Sequence, residues 1–268
     1  MAIPWTEAWA EIAARCAAPP RLLLAFDFDG TLAPLVSTPA AAQLPAQTLG
    51  ALRTLQAVPG ICLAIISGRS LPDLISRVPL PDAIFAGNHG LEIRGLGLDG
   101  ERIQAAALKP RLRILTGKIQ QSTAGISGLF IENKGLSLTV HLRNVLAGQR
   151  DTATRIVEQT GKGDPAFRLQ HGNLVLEYIP DIGWDKGSAL KQITARLGIP
   201  RCATVYAGDD TTDETVFTAM PTAVTIRVGE AGPTAARWTA RDPADVLRIL
   251  NGIARCRIPR GGTPMIPI

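Results

Sequence analysis

Cysteine is sparse in this 268-residue chain: Cys16, Cys62, Cys202 and Cys256 stand far apart and form no C-x-x-C pair. That spacing points to neither a zinc site nor a disulfide framework, and it fits reduced thiols in a cytoplasmic protein. Aromatic residues make up only 4%, and no run of basic residues interleaves with them. A nucleic-acid surface is therefore not expected, even though the formal net charge is +5. No window approaches the length of a membrane span, and the N-terminus lacks a basic segment followed by a long apolar stretch, so a soluble, unprocessed protein is expected. The pattern G-x-x-x-x-G-K-S/T is absent as well, which argues against a P-loop nucleotide enzyme. What the chain does have is 46% hydrophobic residues, enough for one large core or a core plus a smaller domain.

The most informative segment is Asp27-Phe28-Asp29-Gly30-Thr31-Leu32, which follows the apolar run Leu22 to Phe26. The run reads as a buried parallel strand and the glycine as a turn. Strand side chains alternate faces, so Asp27 and Asp29 leave the strand end in register and can converge beyond the sheet edge. Two acids there repel each other unless a cation joins them. Mg²⁺ takes oxygen ligands, usually one or two carboxylates plus substrate phosphate oxygens. The pattern thus points to phosphoryl transfer with one aspartate as nucleophile.

Along the chain, residues 5–16 read as an amphipathic helix with Trp5 and Trp9 one turn apart. A βαβ rhythm follows: a helix over 46–57, a strand over 62–66, a helix over 71–78 and a strand over 83–86. The rhythm resumes with a helix over 186–197, strands over 203–207 and 223–228, and helices over 213–219 and 244–254. Between these stretches, about 108–179, the pattern is αββαββ: helices near 109–122 and 148–160, and strands at 129–134, 136–143, 166–170 and 173–179. Leu136, Leu138, Val140 and Leu142 point one way, and Ser137, Thr139, His141 and Arg143 the other. Leu129 and Ile131 lie opposite Glu132 and Lys134, and Leu174, Leu176 and Tyr178 opposite Glu177. An α+β insertion with one face on helices and an open polar face is expected, and that face suits a polyhydroxylated, charged ligand. The boundaries are then 1–107 with 180–268 for an α/β core with a parallel sheet flanked by helices, and 108–179 for the insertion. The Pro- and Gly-rich tail from Pro259 is expected to be loose.

Further segments fall where a phosphate site on an open α/β sheet needs them, at strand ends. Ser67-Gly68-Arg69 offers a hydroxyl and backbone N–H groups for a phosphate oxygen. Asp185-Lys186-Gly187 opens a helix and supplies a positive charge. Gly208-Asp209-Asp210-Thr211-Thr212-Asp213-Glu214 packs four acids into six positions, which is costly without a cation. Two signals are set aside: Gly95-Leu96-Gly97-Leu98-Asp99-Gly100 matches a dinucleotide fingerprint but lies between short strands as a hairpin turn, and turn chemistry explains His171.

In this order, and with Gly87-Asn88-His89-Gly90 and Glu132-Asn133-Lys134-Gly135-Leu136-Ser137 running to His141-Leu142-Arg143, the set resembles the haloacid dehalogenase (HAD) superfamily of phosphatases and, within it, the trehalose-6-phosphate phosphatase family over about residues 20–230. The resemblance implies a Rossmann-like core with a cap over the active site, and Mg²⁺-dependent release of phosphate from trehalose 6-phosphate in trehalose biosynthesis. It implies Asp27 as nucleophile, Asp29 as general acid and then base, and Mg²⁺ on Asp27, the backbone carbonyl of Asp29 and Asp209, with Asp210 and Asp213 in support. It also implies that Ser67 and Lys186 bind the phosphoryl group. Glu132, Lys134, Arg143 and Glu177 would read the disaccharide, with Arg69 and His89 where core and cap meet. Phe28 stands where tyrosine is frequent in the family, and Leu142 where H-Y-R is common. The expected partner is a small sugar phosphate acted on by a monomer, with no nucleic acid and no membrane. The alternatives are a phosphatase of another sugar or pseudo-disaccharide phosphate, a non-catalytic sugar-phosphate binding module, and a phosphotransferase such as a mutase.

Overall fold

Apolar runs punctuated by glycine and proline become the strands, and the amphipathic stretches between them the helices. The computed structural model describes residues 2–36, 38–95, 97–172, 174–230 and 232–258. The tail from Pro259, Asn173 at the expected start of a strand, and Leu96 in the expected hairpin turn lie outside the described residues. In chain order the first elements are β1 (Ile3–Pro4), α1 (Trp9–Ala17), β2 (Leu22–Phe26), α2 (Ala46–Gln56), β3 (Ile61–Ile66), α3 (Leu71–Arg77), β4 (Ile84–Gly87) and β5 (Glu92–Arg94). Next come β6 (Gly100–Glu101), α4 (Ile103–Ala106), α5 (Lys109–Thr123), β7 (Phe130–Asn133), β8 (Leu138–His141), α6 (Arg150–Gly161), β9 (Phe167–Gly172) and β10 (Val175–Pro180). The chain closes with α7 (Lys186–Leu197), β11 (Thr204–Gly208), α8 (Glu214–Ala219), β12 (Val224–Val228), β13 (Trp238–Ala240) and α9 (Pro243–Arg257). Among the described residues no helix is long and apolar enough to cross a membrane.

The chain divides into two compact units, residues 1–99 with 185–268 and residues 100–184. In the first, the strands run in the order β1-β13-β12-β11-β2-β3-β4-β5. Pairing is parallel from β1 to β4, and β5 is antiparallel to β4. β2 lies between β11 and β3 and is buried at every position, as expected for a strand covered on both faces. Leu22, Leu24 and Phe26 join one apolar cluster with helices α1, α2 and α9, while Leu23 and Ala25 join another with α7 and α8. The chain leaves β2 toward β3 and β4 on one side and returns on the other through β11, so the carboxyl ends of β2, β3, β4 and β11 adjoin at the point where the strand order reverses.

The helix expected over 5–16 begins only at Trp9, because Ile3–Pro4 pairs in parallel with β13 and Trp5 N–H donates to the Thr239 carbonyl at 2.9 Å. Strands of two or three residues, such as β1 and β13, are too short to carry a periodic signature. Trp5 and Trp9 meet edge to face at 5.8 Å.

The second unit carries an antiparallel sheet in the order β7-β8-β10-β9. Leu138, Val140, Leu176 and Tyr178 pack with Leu112, Leu115 and Ile119 of α5 and Ala153 and Val157 of α6. The opposite face is less open than expected. Ser137 and Thr139 are buried, and their hydroxyls donate to Glu177 Oε1 at 3.1 and 3.3 Å, so these polar positions are internally satisfied rather than solvated.

Lys186 and Gly187 open α7, which Asp185 caps by accepting from Ser188 N–H at 2.7 Å. A Cβ on Gly187 would lie 2.4 Å from the Thr215 carbonyl oxygen, so glycine sets how closely α7 approaches α8. Gly187→Ala is expected to destabilise the protein by about 1–3 kcal/mol through overpacking. Gly50→Ala in α2, where a Cβ meets nothing within 4 Å, is expected to stabilise it by roughly 0.5–1 kcal/mol. Chemical denaturation of both variants checks this; a neutral Gly187→Ala would show that the contact relaxes freely.

Candidate active site

The backbone delivers Asp27 first. Its N–H donates to the Ala207 carbonyl at 2.9 Å, carrying the β2–β11 ladder one residue past the strand, and its carboxylate is buried. The chain then turns tightly, with Leu32 N–H bonded to the Phe28 carbonyl at 3.0 Å and Gly30 N–H to the Ala33 carbonyl at 2.8 Å. Gly30 is required there twice over. Its φ is +75°, and a Cβ would lie 2.0 Å from Asp209 Oδ2. Thr31 donates its hydroxyl to Asp209 Oδ1 at 3.4 Å.

The four acids after β11 are sorted by a short 3-10 turn, Thr211–Asp213. Asp210 caps it, accepting from Thr211 N–H at 2.7 Å, while Asp213 Oδ2 accepts from Asp210 N–H at 2.9 Å. This reciprocal box turns Asp213 inward and keeps the Asp210 carboxylate on the turn, so Asp210, expected with Asp213 among the residues that support the cation, caps the turn. Glu214 accepts from Ala235 N–H at 2.8 Å and faces away.

Lys186 Nζ sits 3.0 Å from Asp27 Oδ1 and 2.8 Å from Asp213 Oδ1, with all three side chains buried. Tyr206 donates its hydroxyl to the same Asp213 oxygen at 2.6 Å. Burial works against the lysine's charge, but Asp213 and Asp27 outweigh it and hold Lys186 firmly protonated. Burial drives the Asp27 carboxyl well above the usual range; Lys186 opposes this, while Asp213, Asp209 and Asp29 add to it. Asp209 is pushed up to about 7 by burial and then by the charge of Asp213.

Asp27, Asp209 and Asp213 offer carboxylate oxygens that all lie within 4.8 Å of one another. Fully ionised, the three acids would outnumber the one ammonium of Lys186, and an all-oxygen donor set suits a hard divalent cation. Two of the three carboxylates, Asp27 and Asp209, retain oxygens not committed to the lysine and tyrosine that hold Asp213.

Beside this cluster, Ser67 follows β3, and its hydroxyl accepts from Arg69 N–H at 3.2 Å. Gly87-Asn88-His89-Gly90 braces that loop: Asn88 N–H donates to the Arg69 carbonyl at 2.7 Å and His89 N–H to the Ser67 carbonyl at 2.9 Å. Asn88 and His89 both hold positive φ, +47° and +59°, a costly conformation. Asn88 Nδ2 reaches Glu92 Oε1 at 2.5 Å, and Leu71 N–H at the start of α3 reaches the same oxygen at 2.8 Å. The His89 ring lies against Gly68, where a Cβ would come within 2.8 Å of it. Arg69 is buried and grips both oxygens of Asp29 at 2.6 and 2.7 Å.

In the second unit, Lys134 Nζ pairs with Glu177 Oε1 at 3.0 Å, and His141 Nε2 lies 2.9 Å from Glu132 Oε2. The register sets Glu132, Thr139, Glu177 and Gln170 in one row across the sheet. Arg143 is exposed beyond β8. Three residues escaped the sequence reading. Tyr206 is hidden inside an apolar strand without a pattern to mark it, and Glu92 acts through backbone strain. Asp73 stands four residues after Arg69, a spacing that does mark a helix-borne ion pair.

A family model, Trehalose-phosphatase, matches residues 25–243. The chain belongs to the trehalose-phosphatase family. A relative described as trehalose-phosphate phosphatase, from Mycobacterium ulcerans (strain Agy99), is 35% identical over 245 residues, 88% of this chain and 62% of that one. This trehalose-phosphatase family member thus spans less than two thirds of that relative's length. Among solved structures, a trehalose-6-phosphate phosphatase related protein is 26% identical with a TM-score of 0.76, covering 87% of this chain and 97% of that one. A haloacid dehalogenase-like hydrolase from Bacteroides thetaiotaomicron, 17% identical with a TM-score of 0.60 over 88% of this chain and 99% of that one, shares the fold.

The raised Asp209 carboxyl makes a signed prediction. Folded, it titrates near 7 instead of the ordinary 3.8, so between these values the native state binds more protons than the unfolded one and stability falls as pH rises. In cation-free protein, the parent is expected to lose stability relative to Asp209→Asn as pH rises from about 4 to about 7, and added divalent cation to remove the slope. Melting curves of both proteins across that range check it; a flat difference would show Asp209 ionised throughout.

Proposed function

We propose that this chain hydrolyses trehalose 6-phosphate to trehalose and inorganic phosphate, with Mg²⁺, through an aspartyl-phosphate on Asp27. The observation that carries this reading is the buried Asp27 carboxylate at the carboxyl end of the central strand, 3.0 Å from the Lys186 ammonium, in a chain of the trehalose-phosphatase family. Similar proteins bear the description trehalose-phosphate phosphatase. The donor set fits the cation: Asp27 and Asp209 would hold Mg²⁺ together with the backbone carbonyl of Asp29. Asp213 and Asp210 would stand behind, one gripping Lys186 and the other capping the turn. When bound, Mg²⁺ supplies positive charge to the phosphoryl oxygens.

An Asp27 oxygen attacks phosphorus, and the bond from phosphorus to the sugar oxygen breaks. Asp29 gives a proton to the departing sugar oxygen and then takes one from the water that attacks the acyl phosphate, breaking the bond to Asp27. Lys186 holds Asp27 in line and offsets charge on the phosphoryl group, and the Ser67 hydroxyl and following N–H groups bind its oxygens. Glu132, Lys134, Arg143 and Glu177 would read the hydroxyls of the disaccharide, with His89 bracing the Ser67 loop.

The test is phosphate release from trehalose 6-phosphate beside sucrose phosphate and glucose 6-phosphate, with Mg²⁺ or with chelator. Release is expected to be selective for trehalose 6-phosphate, to vanish with chelator, and to fall on the order of 10³-fold or more in Asp27→Asn. Activity on the other esters alone would keep the chemistry and move the substrate. Silence on all three, with tight binding, would make the chain a sugar-phosphate binding module.

A further inference from the structure

We infer that Arg69 is a positioning residue for Asp29, backed by Asp73, and does not read the sugar. This inference rests on the reading of Asp29 as proton donor and acceptor. Its basis is the way the guanidinium is spent. Nε and Nη2 form a fork on Asp29 Oδ2 and Oδ1 at 2.6 and 2.7 Å, Nη1 reaches Asp73 Oδ2 at 2.7 Å, and Nη2 also reaches the Pro39 carbonyl at 2.9 Å. Its Cζ lies 5.3 Å from the centre of the Phe28 ring, and only 9% of the side chain is exposed. Every nitrogen of Arg69 therefore has a protein acceptor.

Asp73 is shared in turn. Arg77 donates to it through Nε at 2.9 Å and reaches the carbonyls of Ala42 and Ala40 at 2.5 and 3.3 Å. The chain Asp29, Arg69, Asp73, Arg77 thus ties the carboxylate to α3 on one side and to the 39–42 segment on the other. A surface ion pair is worth little, but a part-buried bidentate fork fixes the plane of the carboxyl group, which a point charge does not. Asp29 is the side chain that needs such fixing, because it is about one third exposed and its oxygen must meet first the sugar oxygen and then a water. A carboxyl group has about four lone-pair positions, so a fork that uses one on each oxygen leaves a free position to carry the proton that the sugar oxygen takes and that the attacking water later returns. Arg69 itself neither gives nor takes a proton.

The experiment compares Arg69→Ala, Arg69→Lys, Asp73→Asn and Asp29→Asn with the parent on two substrates. For trehalose 6-phosphate, Arg69→Ala is expected to lower kcat by about 10²-fold with KM unchanged, the size of loss that follows when a catalytic group shifts by about an ångström. Lysine, a point charge without the fork, restores part of it, and Asp73→Asn gives a smaller loss of the same kind. With 4-nitrophenyl phosphate the leaving oxygen needs no acid, so Arg69→Ala is expected to keep a rapid burst of nitrophenolate followed by slow turnover, because the water step still needs Asp29. A rise in KM with kcat intact would overturn the inference in favour of sugar reading. Loss of the burst in proportion to kcat would overturn it in favour of a general structural role, and the Asp73 position, about one third exposed, keeps the test open if Arg69→Ala folds poorly. Parental activity in Asp29→Asn would overturn the reading of Asp29 and this inference with it, whereas a normal loss there without one in Arg69→Ala would overturn this inference alone.

Discussion

The ammonium of Lys186, shared between the carboxylates of Asp27 and Asp213, is the interaction on which the rest of the core unit turns. All three groups are buried, and leaving such a charge without its partner costs on the order of 3–5 kcal/mol. The pairing is satisfied only if β2, β11 and α7 meet at one place. β2 brings Asp27, the turn after β11 brings Asp213, and the first residue of α7 brings the lysine. Each is held by something else: Asp27 by the continued ladder to Ala207, Asp213 by Tyr206 and the Asp210 amide, and α7 by the close approach of Gly187 to Thr215. Charge and packing therefore specify each other. The apolar clusters on the two faces of β2 supply the free energy that allows a charged knot to be buried between them.

That knot remains electrically unbalanced, and the imbalance is arranged. The 3-10 turn after β11 separates neighbouring acids, directing Asp209 and Asp213 inward and Asp210 and Glu214 elsewhere. Glycine at 30 and at 208 leaves room for the carboxylates that would collide with any side chain there, Asp209 in one case and Asp213 in the other. A folded protein that spends glycines to crowd like charges gives up stability near neutral pH, which a cation can return. The crowding that is expected to weaken the cation-free fold is also what gathers carboxylate oxygens of Asp27, Asp209 and Asp213 within 4.8 Å of one another.

Most elements of the core and of the inserted unit were legible because they are long and periodic. The strand at Leu22–Phe26 and the helices at 186 and 46 start and stop where apolar runs and turn residues mark them. The acidic motifs were legible as well, since carboxylates at strand ends have few structural excuses. The division of labour among them was not. Asp210 and Asp213 look alike in sequence, and only the capping geometry shows which one faces Lys186. Tyr206 lies in the Thr204–Gly208 strand as one more apolar position, yet its hydroxyl is what fixes Asp213. Arg69 reads as a cation available to a phosphorylated sugar, and nothing in the sequence marks its acceptors Asp29, Asp73 and the Pro39 carbonyl together. The polar face of the inserted sheet also looked open from alternation alone, because alternation gives direction and says nothing of Glu177 gathering the hydroxyls of Ser137 and Thr139.

The strained pair Asn88 and His89 connects these observations. Two consecutive non-glycine residues at positive φ cost of order 1–3 kcal/mol each, and the structure holds them there with Glu92, which grips both the Asn88 amide and the first turn of α3. In return their own N–H groups fasten the carbonyls of Ser67 and Arg69. The loop after β3 is thereby fixed from β4, the Arg69 side chain from that loop, and Asp29 from Arg69. A segment reached from the sequence as a candidate sugar contact thus holds, through its backbone, the loop that carries Arg69 and with it the carboxylate of Asp29. Strain near the site is in this way converted into the placement of Asp29, while the burial of Lys186 places Asp27.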